Sequence, residues 1–119
     1  MYELKLQHQF ASAHQLKDYI GECKNLHGHT WKVDIMIQME KLVECNGAMV
    51  VDFKELKKLI DEKFDHKFIN DMVNYNPTAE NIAKDIYEMV DELMEKSGGA
   101  RDIKITLWES DNASITYSE

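Results

Sequence analysis

Proline is almost absent from this chain, glycine is sparse and cysteine occurs only twice, and each scarcity narrows what the molecule can be. One proline, Pro77, and five glycines in 119 residues exclude a proline-rich spacer, a collagen-like repeat and a glycine-rich linker between folded units. Two cysteines, Cys23 and Cys45, cannot build a disulfide framework. Met1-Tyr2-Glu3-Leu4-Lys5 begins an alternating pattern at once, without the basic stretch and apolar run of an export signal. Both thiols are therefore expected to be reduced, in a cytoplasmic protein. No apolar run approaches the roughly 20 residues that cross a bilayer, so no membrane partner is expected. Cations are also short, with 14 Lys and Arg against 22 Asp and Glu and a net charge of −8. A nucleic-acid face needs clustered cations, which excludes nucleic acid as the expected partner. An anionic substrate would have to be met by positive charge concentrated at its own site. With no repeat, low-complexity tract or linker, residues 1–119 read as one domain.

What is present is periodicity. Tyr2, Leu4, Leu6, His8 and Phe10 alternate with polar residues, as do Trp31, Val33, Ile35, Ile37 and Met39, which is the two-residue period of half-buried strands. Glu44-Cys45-Asn46-Gly47 reads as a turn, with Ala48-Met49-Val50-Val51 as a short return strand. Asp52 has the character of a helix N-cap, with Glu55 completing a capping box, and Phe53, Leu56, Ile60 and Phe64 form an apolar stripe on a helix over Phe53 to Phe64. A second helix starts after Pro77 with Thr78 as its cap, carries Ile82, Ile86, Met89, Val90 and Leu93 on one face, and ends at Ser97-Gly98-Gly99. Ile103, Ile105 and Leu107 mark a third long strand, and a Ser110-Asp111-Asn112 turn leads to a last strand over Ala113 to Tyr117. The order ββααββ predicts an α+β fold, a four-stranded antiparallel sheet with both helices on one face, and its open edges invite partners.

The chemistry concentrates in Cys23-Lys24-Asn25-Leu26-His27-Gly28-His29. Residues two apart on a strand share a face, so His27 and His29 can aim both rings at one point, and His14 can approach from the neighbouring strand. Three imidazoles with an open fourth position describe a catalytic zinc site, whereas isolated histidines are ordinarily surface or hydrogen-bonded residues. His8, of the same parity as His14, reads as a strand residue without a function. Cys23 can be a fourth zinc ligand, a thiolate base beside an open zinc, or a buried thiol with no task, which is also the reading for Cys45. Asp65-His66 is either an imidazole oriented by a carboxylate for acid–base work or a solvated loop. Glu109 interrupts an apolar strand end; it is either exposed or a pocket carboxylate accepting two hydrogen bonds from an amidine-like edge such as that of a pterin.

Taken together, Phe10-Ala11-Ser12-Ala13-His14, Cys23 to His29, Met49-Val50-Val51-Asp52-Phe53, Asp65-His66-Lys67, Pro77-Thr78-Ala79-Glu80-Asn81 and Trp108-Glu109-Ser110 resemble the 6-pyruvoyl-tetrahydropterin synthase family, in its order and over nearly the whole chain. The C-x-x-x-H-G-H spacing is most similar to its 6-carboxytetrahydropterin synthase branch, of the queuosine pathway. The resemblance implies a tunnelling fold assembled as a homohexamer, a dimer of trimers, with active sites between subunits. It implies that His14, His27 and His29 hold Zn²⁺, that Cys23 is the catalytic thiol with Asp65 and His66 as the second acid–base pair, and that Glu109 anchors the pterin with Thr78 and Glu80 in the same pocket.

The small-molecule substrate so implied is 7,8-dihydroneopterin triphosphate, converted to 6-carboxy-5,6,7,8-tetrahydropterin with release of acetaldehyde and triphosphate by a zinc-dependent carbon–oxygen and carbon–carbon lyase. Lys24, Lys32 and Lys67 are the lysines nearest the motifs for holding the triphosphate. Glu22, directly before Cys23, resembles a glutamate that in some relatives supports cleavage to 6-hydroxymethyl-dihydropterin for folate synthesis, and a 6-pyruvoyl product is a further alternative. A third reading is a zinc-stabilised binding module in which Cys23 closes the coordination shell. An enzyme should show a pocket ending at Glu109, and a binding module should not.

Overall fold

The structure is a computed structural model in which residues 1–17, 26–42, 47–99 and 101–119 are described, His27 through its backbone. The elements run β1 (Tyr2–His14), β2 (His27–Met39), α1 (Phe53–Phe64), β3 (Lys67–Phe68), α2 (Ile69–Met72), α3 (Ala79–Glu95), β4 (Arg101–Ser110) and β5 (Ala113–Ser118). The alternation in the long strands sends Phe10, Trp31, Val33, Ile35, Ile37, Ile105 and Leu107 to one face, where each is at most 2% exposed. Full burial of such a side chain contributes about 1.5–3 kcal/mol. Those contributions hold the helices on that face.

β1 pairs with β2 along its whole length, from Tyr2 opposite Met39 to His14 opposite His27. β4 lies antiparallel on the other side of β2, and β5 on β4. The sheet order is β3-β1-β2-β4-β5. This corrects the expected four antiparallel strands and two helices: β3 is a two-residue strand parallel to β1, and α2 is a third, four-residue helix. Neither is long enough to show a periodicity. The expected strand over Ala48 to Val51 is also not formed. Gly47 and Ala48 both take left-handed backbone angles, φ 65° and 60°, and residues 47–50 form turns and bends before buried Val51.

α1 begins where Asp52 accepts the Lys54 backbone N–H at 2.9 Å. The Glu55 N–H goes to the Asp52 backbone oxygen at 3.0 Å, without the reciprocal side-chain bond of a capping box. Leu56, Ile60 and Phe64 face the core as expected, but Phe53 at the first turn is half exposed. Thr78 caps α3 by accepting the Asn81 N–H at 3.1 Å, and Ile82, Ile86 and Val90 are buried while Met89 and Leu93 pack against the core's border. Positive φ at Gly98 and Gly99, the C-terminal signal expected there, turns the chain toward β4. His8 has a structural role, its Nε2 lying 2.7 Å from Asp61 Oδ1 and tying β1 to α1. Beside α3, Tyr75 donates to Asp85 at 2.6 Å, and Asp85 also pairs with Lys63 at 2.8 Å. Burial, then the bond to Asp85, pushes the Tyr75 phenol well above the usual range, so it stays a donor.

The opposite sheet face is polar. Asp34 accepts from Gln7 Nε2 and Trp108 Nε1, both at 2.8 Å, and Lys32 Nζ lies 4.7 Å from the Trp108 ring centre. Among the described residues no helix is long and apolar enough to cross a membrane.

Candidate metal centre and active site

The parity that buries Phe10 and Trp31 carries through to the ends of three strands. On β1, Phe10, Ser12 and His14 share the helix-covered face, and on β2 Trp31 and His29 do the same. β4 adds Glu109, of the same parity as Leu107. One ligand atom from each of His14, His29 and Glu109 comes within 4.8 Å of the others, the grouping a metal ion requires.

His14 is the most enclosed of the three. Its side chain is buried, and Nδ1 lies 2.8 Å from the carbonyl oxygen of Pro77. A carbonyl oxygen only accepts, so Nδ1 carries a proton, and in the neutral ring Nε2 is the nitrogen with a lone pair. That Nε2 faces Glu109 Oε1 at 3.6 Å, and His29 Nε2 stands 3.1 Å from the same oxygen. Two imidazole nitrogens and a carboxylate oxygen thus converge, a set of donors that a cation can share. An imidazole donating its far N–H to a backbone carbonyl is also how metal-bound histidines are oriented. The donor set of nitrogen and oxygen suits zinc, so these residues fit the ion that the sequence motif implied. His27 stands opposite His14 in the register, and its backbone places it at the same end of the sheet. Glu22, Cys23, Lys24 and Cys45 lie outside the described residues.

Asp65 and His66 form a second, separate group. Asp65 Oδ1 accepts the Ala11 N–H at 3.0 Å, the His66 N–H reaches the Ala11 carbonyl at 2.6 Å, and His66 Nε2 lies 3.6 Å from Asp65 Oδ2. His66 has φ 55°, a sparsely populated conformation for a residue with a side chain, and its ring is 83% exposed. The loop is thus clamped to β1 while the imidazole projects outward. Within the chain neither Asp65 nor His66 bonds to His14, His29 or Glu109.

Glu80 and Glu109 line a cavity of about 190 Å³ together with Ala79, Leu107 and residues of β5. Thr78 caps α3 and is not among the residues that line this cavity. Among the candidate lysines, Lys32 points to the opposite sheet face, over Trp108, and Lys67 is exposed on β3. Sequence reasoning missed the Pro77 carbonyl, which lies 63 residues from His14 and has no side chain to signal it. It also gave Trp31 a core role only, although its parity with His29 was a usable signal.

The sequence model of 6-pyruvoyl tetrahydropterin synthase matches residues 3–119. The chain is 31% identical to the 6-carboxy-5,6,7,8-tetrahydropterin synthase of Haemophilus influenzae, with all of both chains covered. It is 32% identical to the dihydroneopterin monophosphate aldolase of Pyrococcus furiosus, covering 89% of this chain and 88% of that one. In three dimensions it is similar to the 6-pyruvoyl tetrahydropterin synthase of Caenorhabditis elegans, with a TM-score of 0.75 at 23% identity, covering 99% and 95% of the two chains.

Proposed function

The chain belongs to the 6-pyruvoyl tetrahydropterin synthase family, and from that premise we propose that it converts 7,8-dihydroneopterin triphosphate and one water to 6-carboxy-5,6,7,8-tetrahydropterin, acetaldehyde and triphosphate. The observation that carries this reading is the convergence of His14 and His29 beside Glu109, a carboxylate next to two of the imidazoles that this reading gives to the metal. The similarity to the Haemophilus influenzae enzyme over the full length of both chains supports the carboxy product.

In this reading His14, His27 and His29 hold Zn²⁺, which when bound supplies Lewis-acid polarisation of the side-chain hydroxyls and so acidifies the C1′ hydrogen. Cys23, as thiolate, takes that hydrogen as a proton. His66, kept in place by Asp65, moves protons on the other face of the substrate side chain. Glu109 accepts the paired N–H donors of the pterin edge, with Glu80 beside it and Thr78 shaping the pocket rim through its helix cap. Walls from neighbouring subunits would bring the exposed His66 to a site that its own chain does not reach. Homohexameric assembly, as two trimers, belongs to this reading through the family resemblance, and the open β5 edge supports it.

A second reading is favoured by the similarity to the Pyrococcus furiosus aldolase and by Glu22 beside Cys23. Here the side chain is cleaved to leave 6-hydroxymethyl-dihydropterin. Incubating the zinc-loaded protein with dihydroneopterin triphosphate, and separately with the monophosphate, and identifying the pterin by mass decides between them. The 6-carboxy product is expected. Only the hydroxymethyl product would establish the second reading, and no turnover of either substrate would leave a zinc-stabilised binding module.

A further inference from the structure

We propose that Trp31 is a positioning residue for the metal centre, its indole setting the planes of the His14 and His29 rings; this rests on the metal-binding reading above. Pro77 restrains His14 at Nδ1, and the Trp31 indole packs against the rings themselves. Its centroid lies 5.0 Å from the His14 ring at 77° and 5.2 Å from the His29 ring at 71°. The two imidazoles meet each other at 5.1 Å and 68°, so three rings pack mutually edge to face. This spacing and angle are those at which aromatic pairs attract most specifically.

The strand register explains how one side chain reaches both. Phe10 stands opposite Trp31, Ser12 opposite His29, and His14 opposite His27. The small Ser12, its hydroxyl donated to the Phe64 carbonyl, leaves room for the indole to pass diagonally toward His14. The indole is itself enclosed: it is fully buried and lies parallel to Phe10, with ring centres 6.1 Å apart and planes 5° apart. Its Nε1 has no hydrogen-bond partner among the described residues. A buried donor without a partner is costly, and phenylalanine would fill an ordinary core position without that cost. What the indole offers instead is two fused rings, enough edge and face to meet two imidazoles at once.

The test compares wild type, Trp31→Phe, Trp31→Leu and Val90→Ala, a loss of core volume on α3 away from the site. Zinc affinity is measured by competition with a chromophoric chelator, and the visible spectrum of the cobalt-loaded protein reports ligand geometry. Groups that orient metal ligands typically change affinity by about 10- to 100-fold when removed. Trp31→Leu should fall in that range and Trp31→Phe partway, both with altered cobalt spectra, while Val90→Ala loses stability but keeps affinity and spectrum. Should Trp31→Leu not fold, Trp31→Phe decides alone. Trp31 variants indistinguishable from wild type would overturn the proposal, as would an equal loss in Val90→Ala. A wild-type protein that binds neither ion would overturn the metal reading itself, and the role of Trp31 with it, a result distinct from intact binding in every variant.

Discussion

Replacing Glu109 by glutamine separates the two roles its position allows, because the amide keeps the shape of the carboxylate and removes its charge. Glu109 Oε1 lies 3.1 Å from His29 Nε2 and 3.6 Å from His14 Nε2, and the side chain is 34% exposed. If the carboxylate accepts two N–H donors from a pterin, each charge-assisted bond contributes about 1.5–3 kcal/mol. Glutamine retains one acceptor and turns an NH₂ toward the other donor, so about 2–4 kcal/mol should be lost, or roughly 30- to 700-fold in kcat/KM. Zinc should stay at one ion per chain, since three imidazoles suffice to hold it. The assays are steady-state kinetics on dihydroneopterin triphosphate and zinc content after dialysis, made on the same preparation. Unchanged kinetics would make Glu109 an ordinary surface carboxylate. Zinc lost together with activity would make it a ligand and refute the anchoring role.

Cys23→Ala should keep its zinc and bind substrate while turnover falls by about two to four powers of ten; zinc content and single-turnover rate check this, and loss of metal would make the thiol a ligand. Light scattering should give a mass in multiples of three chains, and an active monomer would refute a site shared between subunits. Thr78→Ala should cost about 1 kcal/mol by removing the bond to the Asn81 N–H, lowering Tm by about 4 °C, with Thr78→Ser restoring it. An unchanged melting curve for Thr78→Ala would show that the cap contributes nothing to stability.

Much of the fold was legible because period and register are local properties. The alternation of β1, β2 and β4 and the stripes of α1 and α3 each follow from side-chain spacing along one element, and Asp52 and Thr78 cap the helices through groups two or three residues away. The residues with short-range signals of the wrong kind misled. Ala48 to Val51 is apolar enough for a strand, but the left-handed turn at Gly47 and Ala48 gives it no ladder. β3 and α2 are too short to carry any period and exist because β1 and its neighbours provide partners.

The site divides in the same way. That His14 and His29 could meet on one face was readable from spacing and parity, since a strand's two-residue repeat assigns each side chain to a face before any folding is known, whereas Glu109 joined them only through the family resemblance. Tertiary structure alone decided that the Pro77 carbonyl takes the proton-bearing side of His14, that Glu109 Oε1 stands between two imidazole nitrogens, and that Trp31 packs against both rings. These depend on distances between atoms far apart in the chain. Such distances arise from how the sheet and helices pack, and nothing in the local order of residues encodes them.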